Sequence, residues 1–151
     1  MKILAFLQNQ WVNEPERVRA SIEKYGEKYR RRFIAFALFS GCSTGRRLRS
    51  SFGDLCDQII WEEASPKIGG HSSSFFVPDK NHISQRIDEE SPDVILAFGA
   101  AACAAVQKTL SKRLDGPCIE FIQLPHPVAR HTGLMELLKK TGAYLRARNQ
   151  L

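Results

Sequence analysis

The sequence predicts an α/β fold: a three-layer sandwich with a short, mainly parallel central sheet of four to five strands and helices on both faces. Three observations predict it. Short apolar runs alternate along the chain with segments of helical periodicity, the pattern of strand–helix–strand crossovers. The runs are continuous rather than alternating polar and apolar, as strands covered on both faces require. A length of 151 residues with 43% hydrophobic and 25% charged residues fits one domain, 1–151, around one core.

Residues 2–8, KILAFLQ, read as the first buried strand. Asn13-Glu-Pro-Glu then signals a helix start, with Asn13 as the capping residue and Pro near the first turn. A helix over about 15–31 follows, weakened at Gly26 and closed by Arg30, Arg31 and Arg32. Residues 33–39, FIAFALF, are a buried strand or part of a buried helix, because a short apolar run does not separate the two. After the turn-rich SGCSTG, the spacing of Leu48, Phe52 and Leu55 predicts a helix over about 44–57. Residues 58–62 form a strand, and 64–80, rich in Pro, Gly and Ser, a long loop. A short helix over 81–90 ends at Ser91-Pro92. Residues 93–98, DVILAF, are the clearest strand, followed by Gly99 and an Ala-rich helix over about 100–113. A strand in CIEFIQL, the loop PHPVARHTG and an amphipathic helix over about 132–148 complete the chain.

Composition narrows the function. No apolar run approaches the roughly 18 residues needed to span a bilayer, and the single Lys2 with a short apolar run fits a first strand better than a leader. Cys42, Cys56, Cys103 and Cys118 are too scattered for a metal site or a disulfide framework, so free thiols in a reducing cytoplasm are expected, with no cofactor. The net charge of +6 is uneven. Residues 1–60 carry +5, residues 61–100 carry −4 and residues 101–151 carry +5, so the two ends of the chain can converge into a basic face suited to phosphate backbones. A monomer with a DNA partner and no membrane is the expectation.

Ligands of open α/β sheets bind beyond the carboxyl ends of the strands, where strand order switches. That rule selects Gln8-Asn9-Gln10-Trp11, Gly99-Ala100-Ala101 and Pro125-His126-Pro127, with Ser40–Arg49 as a fourth wall. Three successive carboxamides at a strand end orient a water or grip a base edge, or simply make a hydrated turn. Gly99 permits close approach of a ligand, or only a tight turn. His126, flanked by prolines, suits a rigid hydrogen-bond donor or acid/base group. Ser43-Thr44-Gly45-Arg46-Arg47 resembles a phosphate-gripping helix start without the GxxxxGK[ST] pattern, so nucleoside triphosphate hydrolysis has no support. Arg130 and His131 lie within reach of phosphate on the His126 loop, while His71 and His82 read as surface residues. Phe75 and Phe76 stack on a base or anchor their loop.

Four stretches in this order resemble the uracil-DNA glycosylase superfamily: KILAFLQNQW, FSGCSTGRRLRSSFGDL, PDVILAFGAAACAAV and LPHPVARHT. The first is similar to the family's water-activating loop, the last to its His-Pro-Ser loop, although no Gly or Pro surrounds Asn9 and His-Pro-Val replaces His-Pro-Ser. The cysteines do not match the family's iron–sulfur pattern. The resemblance implies an α/β sandwich and hydrolysis of the N-glycosidic bond of uracil or another altered base flipped out of DNA. It implies Asn9 and His126 as catalytic residues, a base pocket of Gln8, Gln10, Phe39 and Gly99, and phosphate contacts from Ser43, Thr44, Arg46, Arg47, Arg130 and His131. Two other readings stand beside it: a nucleoside- or nucleotide-processing enzyme, and a non-catalytic DNA or partner binder of the same fold.

Overall fold

A computed structural model of the chain describes residues 1–8, 10–69, 77–113 and 115–151, and the side chains of residues 10 and 11 are not among those described. Its main sheet has four strands, all parallel: β1 (Ile3–Leu7), β3 (Ile59–Glu63), β5 (Val94–Phe98) and β6 (Glu120–Leu124), in the order β3-β1-β5-β6. The two inner strands, ILAFL and VILAF, are buried at every position, which explains their unbroken apolar runs. Polar residues fall on the outer pair, as Glu62 and Glu63 on β3 and Glu120 and Gln123 on β6.

Alternate residues of each strand face opposite helical layers. Ile3, Ala5, Leu7, Trp61, Leu96 and Phe98 pack against α2 (Glu27–Phe39), α3 (Ser43–Phe52) and α6 (Leu134–Asn149). Leu4, Phe6, Ile95 and Ala97 pack against α4 (Lys80–Glu90) and α5 (Ala100–Ser111). The sandwich is therefore three-layered. Ala5 lies between Trp61 and Leu96 in the register, and this small side chain lets the Trp61 and Phe98 rings approach to 6.1 Å.

Two expectations change. The helix expected over 15–31 is two helices, α1 (Pro15–Tyr25) and α2, broken at Gly26, whose φ of +81° is open to glycine at little cost. The N–H of Gly26 caps α1 on the Ile22 carbonyl at 2.7 Å, and its own carbonyl accepts the first bonds of α2 from Tyr29 and Arg30. Arg30, Arg31 and Arg32 thus lie inside α2 rather than closing a helix. The open reading of residues 33–39 resolves as helix, with Arg30, Ile34 and Leu38 forming its buried stripe.

The other boundaries move by a few residues. Glu14, not Asn13, occupies the cap position of α1, and the helix expected over 44–57 is α3 followed by a 3-10 turn over Gly53–Asp57. A second, two-stranded parallel ribbon, β2 (Gln10–Trp11) with β4 (Ile68–Gly69), was not expected. Among the described residues, no helix is long and apolar enough to cross a membrane.

Candidate functional site at the carboxyl edge of the sheet

The chain leaves β1 toward β3 on one side, and crosses back to β5 on the other. Strand order therefore switches between β1 and β5, and the crevice there opens between the loops that follow them. Gln8 follows β1 and Gly99 follows β5. His126 follows β6, next to β5.

These three residues meet. A Cβ added to Gly99 would come within 2.8 Å of Gln8 Oε1 and 3.8 Å of the His126 Cβ. Gly99 also holds φ +92°, a conformation that L side chains rarely adopt. The φ is what favours glycine there, because the Gln8 amide is the far end of a flexible side chain and can move aside for a Cβ. The Gly99 N–H bonds the Leu124 carbonyl at 2.9 Å, tying the mouth of β5 to that of β6. No side chain caps α5 immediately beyond.

His126 is half-buried, and burial lowers its pKa below the ordinary histidine range, favouring the neutral ring. Its Nδ1 accepts the backbone N–H of Val128 at 3.3 Å. In the neutral ring the proton then belongs on Nε2, which becomes a hydrogen-bond donor. Ala129 N–H closes a turn onto the His126 carbonyl at 2.9 Å. From α3, Arg47 Nη1 donates to the Pro127 carbonyl at 3.2 Å, bracing the loop across 80 residues of sequence.

The basic residues expected on phosphates divide accordingly. Arg47 braces the histidine loop, and Arg46 donates to the Gly41 carbonyl and to Ser43 Oγ at its own helix start. Ser43, Arg130 and His131 are exposed, and Thr44 is half-buried. Phe39 is a packed residue: the Trp61 ring meets it edge-on at 5.5 Å and the Arg49 guanidinium sits 4.6 Å from its centroid. Asn9, His71, Phe75 and Phe76 lie outside the described residues, as do the side chains of Gln10 and Trp11.

The carboxyl end of β3 holds two acids that the strand pattern does not single out. Glu62 is fully buried and binds two guanidiniums: Arg30 Nη1 and Nη2 reach its oxygens at 2.8 and 2.9 Å, and Arg86 Nε reaches Oε2 at 2.8 Å. Burial pushes its pKa up, but His82 and Arg30 outweigh this and hold it at about 2. His82, expected at the surface, instead packs against this acid with its side chain only 10% exposed and its Nε2 3.4 Å from Glu62 Oε1. Glu63 points to the other layer and is in register with Leu7. Burial, and then repulsion from Glu62, push its pKa well above the usual carboxylate range, and its Oε2 has no hydrogen-bond partner among the described residues. Its surroundings favour the neutral form, and it lies one strand away from Gln8. Consecutive acids closing an apolar strand are the only signal of this pair in the sequence, because alternation sends one into each layer.

Among the described residues, no group of three or more His, Cys, Asp or Glu side chains forms a metal site. All four cysteines are free thiols, with Cys56 and Cys103 buried and Cys42 and Cys118 exposed. The chain as a whole matches no family model and no curated protein sequence.

Proposed function

We propose that the chain is a DNA glycosylase-like enzyme that hydrolyses the N-glycosidic bond of uracil or another altered base flipped out of DNA. The observation that carries this reading is the meeting of Gln8, Gly99 and His126 at the strand-order switch. Breaking a glycosidic bond leaves its electron pair on the base, and the charge spreads from the ring nitrogen onto a carbonyl oxygen of the base. A preorganised neutral donor aimed at that oxygen stabilises the transition state without giving up its proton. His126 is suited to this role by its lowered pKa, its Nδ1 partner and its braced loop. Asn9, next in sequence after Gln8, positions the water that attacks the sugar. Gly99 leaves room for the base, and the Gln8 and Gln10 amides offer polar edges to it. Extrusion of the base costs a few kcal/mol, which contacts to the flanking phosphates offset.

The test is an oligonucleotide panel carrying different altered bases, with wild type beside Asn9→Ala and His126→Ala. Alkali-labile abasic sites are expected with wild type on at least one base, and loss of them in both variants. Intact product across the panel would rule the enzyme out.

Glu63 favours a second reading, a nucleoside-processing enzyme using a carboxylate nucleophile at a strand end. Against it, burial and the neighbouring Glu62 both disfavour the charged, nucleophilic form of Glu63. Base exchange between free nucleosides, abolished in Glu63→Gln, would select this reading over excision.

A further inference from the structure

A basic residue followed by an aromatic one recurs at a four-residue interval, as Lys24-Tyr25, Lys28-Tyr29 and Arg32-Phe33. Such an interval is about one helical turn, so the repeat lays two parallel rows along the end of α1 and the length of α2, one of cations and one of rings. The ring row survives the break at Gly26. The Tyr25 and Tyr29 rings stand 5.6 Å apart across it, and the Tyr29 and Phe33 rings stack at 6.2 Å and 19°. Phe36 continues the row on the next turn. This face of α2 is turned away from the Arg30, Ile34 and Leu38 stripe that packs the helix. Its two ends lie in water: Tyr25 is 60% exposed and Phe36 69%, more than any other aromatic side chain among the described residues.

The cation row is open as well. Lys24, Lys28 and Arg32 are exposed, and the Lys24 ammonium sits 5.2 Å from the centroid of the Tyr25 ring. The one acid of α2, Glu27, is held by Arg30 at 2.9 Å, so the helix sets no uncommitted carboxylate against the row.

Rings left in water contribute little to the fold, and a row of cations beside them suits a partner that carries both flat apolar faces and negative charge. Single-stranded nucleic acid carries both, in two parallel tracks of bases and phosphates. Two other occupants fit less well. A duplex hides the faces of its bases, and its strands advance by about 3.4 Å per step, well short of the ring spacings here. A second copy docked on the same face would bury two cation rows together, with no free acid of α2 to oppose them.

We propose that the outer face of α2, begun by Lys24 and Tyr25, is a binding surface for single-stranded nucleic acid. Bases stack on the exposed rings, and phosphates lie along Lys24, Lys28 and Arg32. The inference stands on this face alone and does not require excision at the carboxyl edge.

Fluorescence anisotropy with a labelled oligothymidylate of roughly 15 nucleotides, within the range of single-strand sites, tests it beside a blunt duplex of the same length. The ring variant is Tyr25→Leu/Tyr29→Leu/Phe36→Leu. Leucine keeps apolar bulk and helix propensity while removing the flat π-face, so the fold is retained and only stacking is lost. Tyr144→Leu, which removes an exposed ring from α6, is the control. The ring variant is expected to weaken oligothymidylate binding about tenfold or more, and the control by less than about twofold. Lys24→Gln/Lys28→Gln/Arg32→Gln is expected to flatten the slope of log Kd against log salt by about 2, at about 0.7 per phosphate of a single strand. No binding by wild type, tighter binding of the duplex, or equal losses in the ring variant and the control overturns the proposal. So does a wild-type dimer in sedimentation velocity that the ring variant turns into a monomer with its oligothymidylate affinity unchanged, which would assign the face to a second copy.

Discussion

Replacing Glu62 by glutamine tests the reasoning about the buried charges most sharply. Glu62 is 0% exposed, Arg30 3% and Arg86 1%, so all three ion-pair partners are withdrawn from water. Glutamine keeps the shape but removes the charge and turns an amide nitrogen toward a guanidinium. Breaking a buried ion pair while leaving its cations behind costs about 3–5 kcal/mol. The lower end applies, because Arg30 keeps Glu27 at 2.9 Å and Arg86 keeps Glu89 and Glu90. Titration gives a similar figure. At about 1.4 kcal/mol per tenfold change, the gap between 4.5 unfolded and about 2 folded is worth about 3 kcal/mol. In a chain of this size that lowers the melting temperature by roughly 10 °C.

The sign follows from the direction of the shift. A carboxyl depressed in the native state contributes its full stability above its unfolded pKa and loses it as pH falls toward its folded one. Urea unfolding of wild type and Glu62→Gln should therefore differ by about 3 kcal/mol at pH 7. The difference should shrink below pH 4.5 and nearly vanish by about pH 2. Equal midpoints at pH 7, or a gap that does not change with pH, would refute the argument.

Glu63 should behave in the opposite way. Its pKa is raised, so the unfolded chain gains by ionising at neutral pH; Glu63→Gln is expected to raise the melting temperature at pH 7, with the gain gone below the unfolded value of about 4.5, as a thermal scan against pH will read. His126 should titrate below about 6.5 by NMR, and base release should fall as pH drops through its lowered pKa, because protonating Nδ1 removes the acceptor of the Val128 N–H that orients the ring. His126→Ala should cost on the order of a hundred- to a thousand-fold in single-turnover rate, the loss typical of one preorganised donor. Gly99→Ala should destabilise by about 1–3 kcal/mol through its positive φ and displace Gln8, so denaturation and base release should both report it.

The sheet was legible because β1 and β5 are buried on both faces and no polar residue interrupts them. The second helix was not, and the reason is Arg30. A stripe of Arg30, Ile34 and Leu38 does not read as apolar unless the carboxylate that accompanies the arginine is known, and Glu62 lies 32 residues further on. The same pairing hides part of the charge pattern. Glu62 and Glu63 count toward the acidic middle of the sequence but contribute nothing to the surface. At the site, Gln8, Gly99 and His126 were identifiable from strand ends alone, since topology fixes where those ends emerge. The partner of Arg47 was not, because a guanidinium that satisfies a backbone carbonyl 80 residues away leaves no trace in residue type.

The small ribbon has a mechanical consequence. The same two stretches of chain that pair as β1 and β3 pair again as β2 and β4, and the Arg19 side chain fastens the Ile68 carbonyl to α1. The span from Leu7 to Gln10 is anchored at both ends by separate ladders. Lengthening it by a single residue would have to shift one ladder by one position, exchanging the faces its side chains present, or break it. Loop-length variation should therefore be tolerated at the Asp115–Gly116 turn far more readily than in the interval beside Gln8.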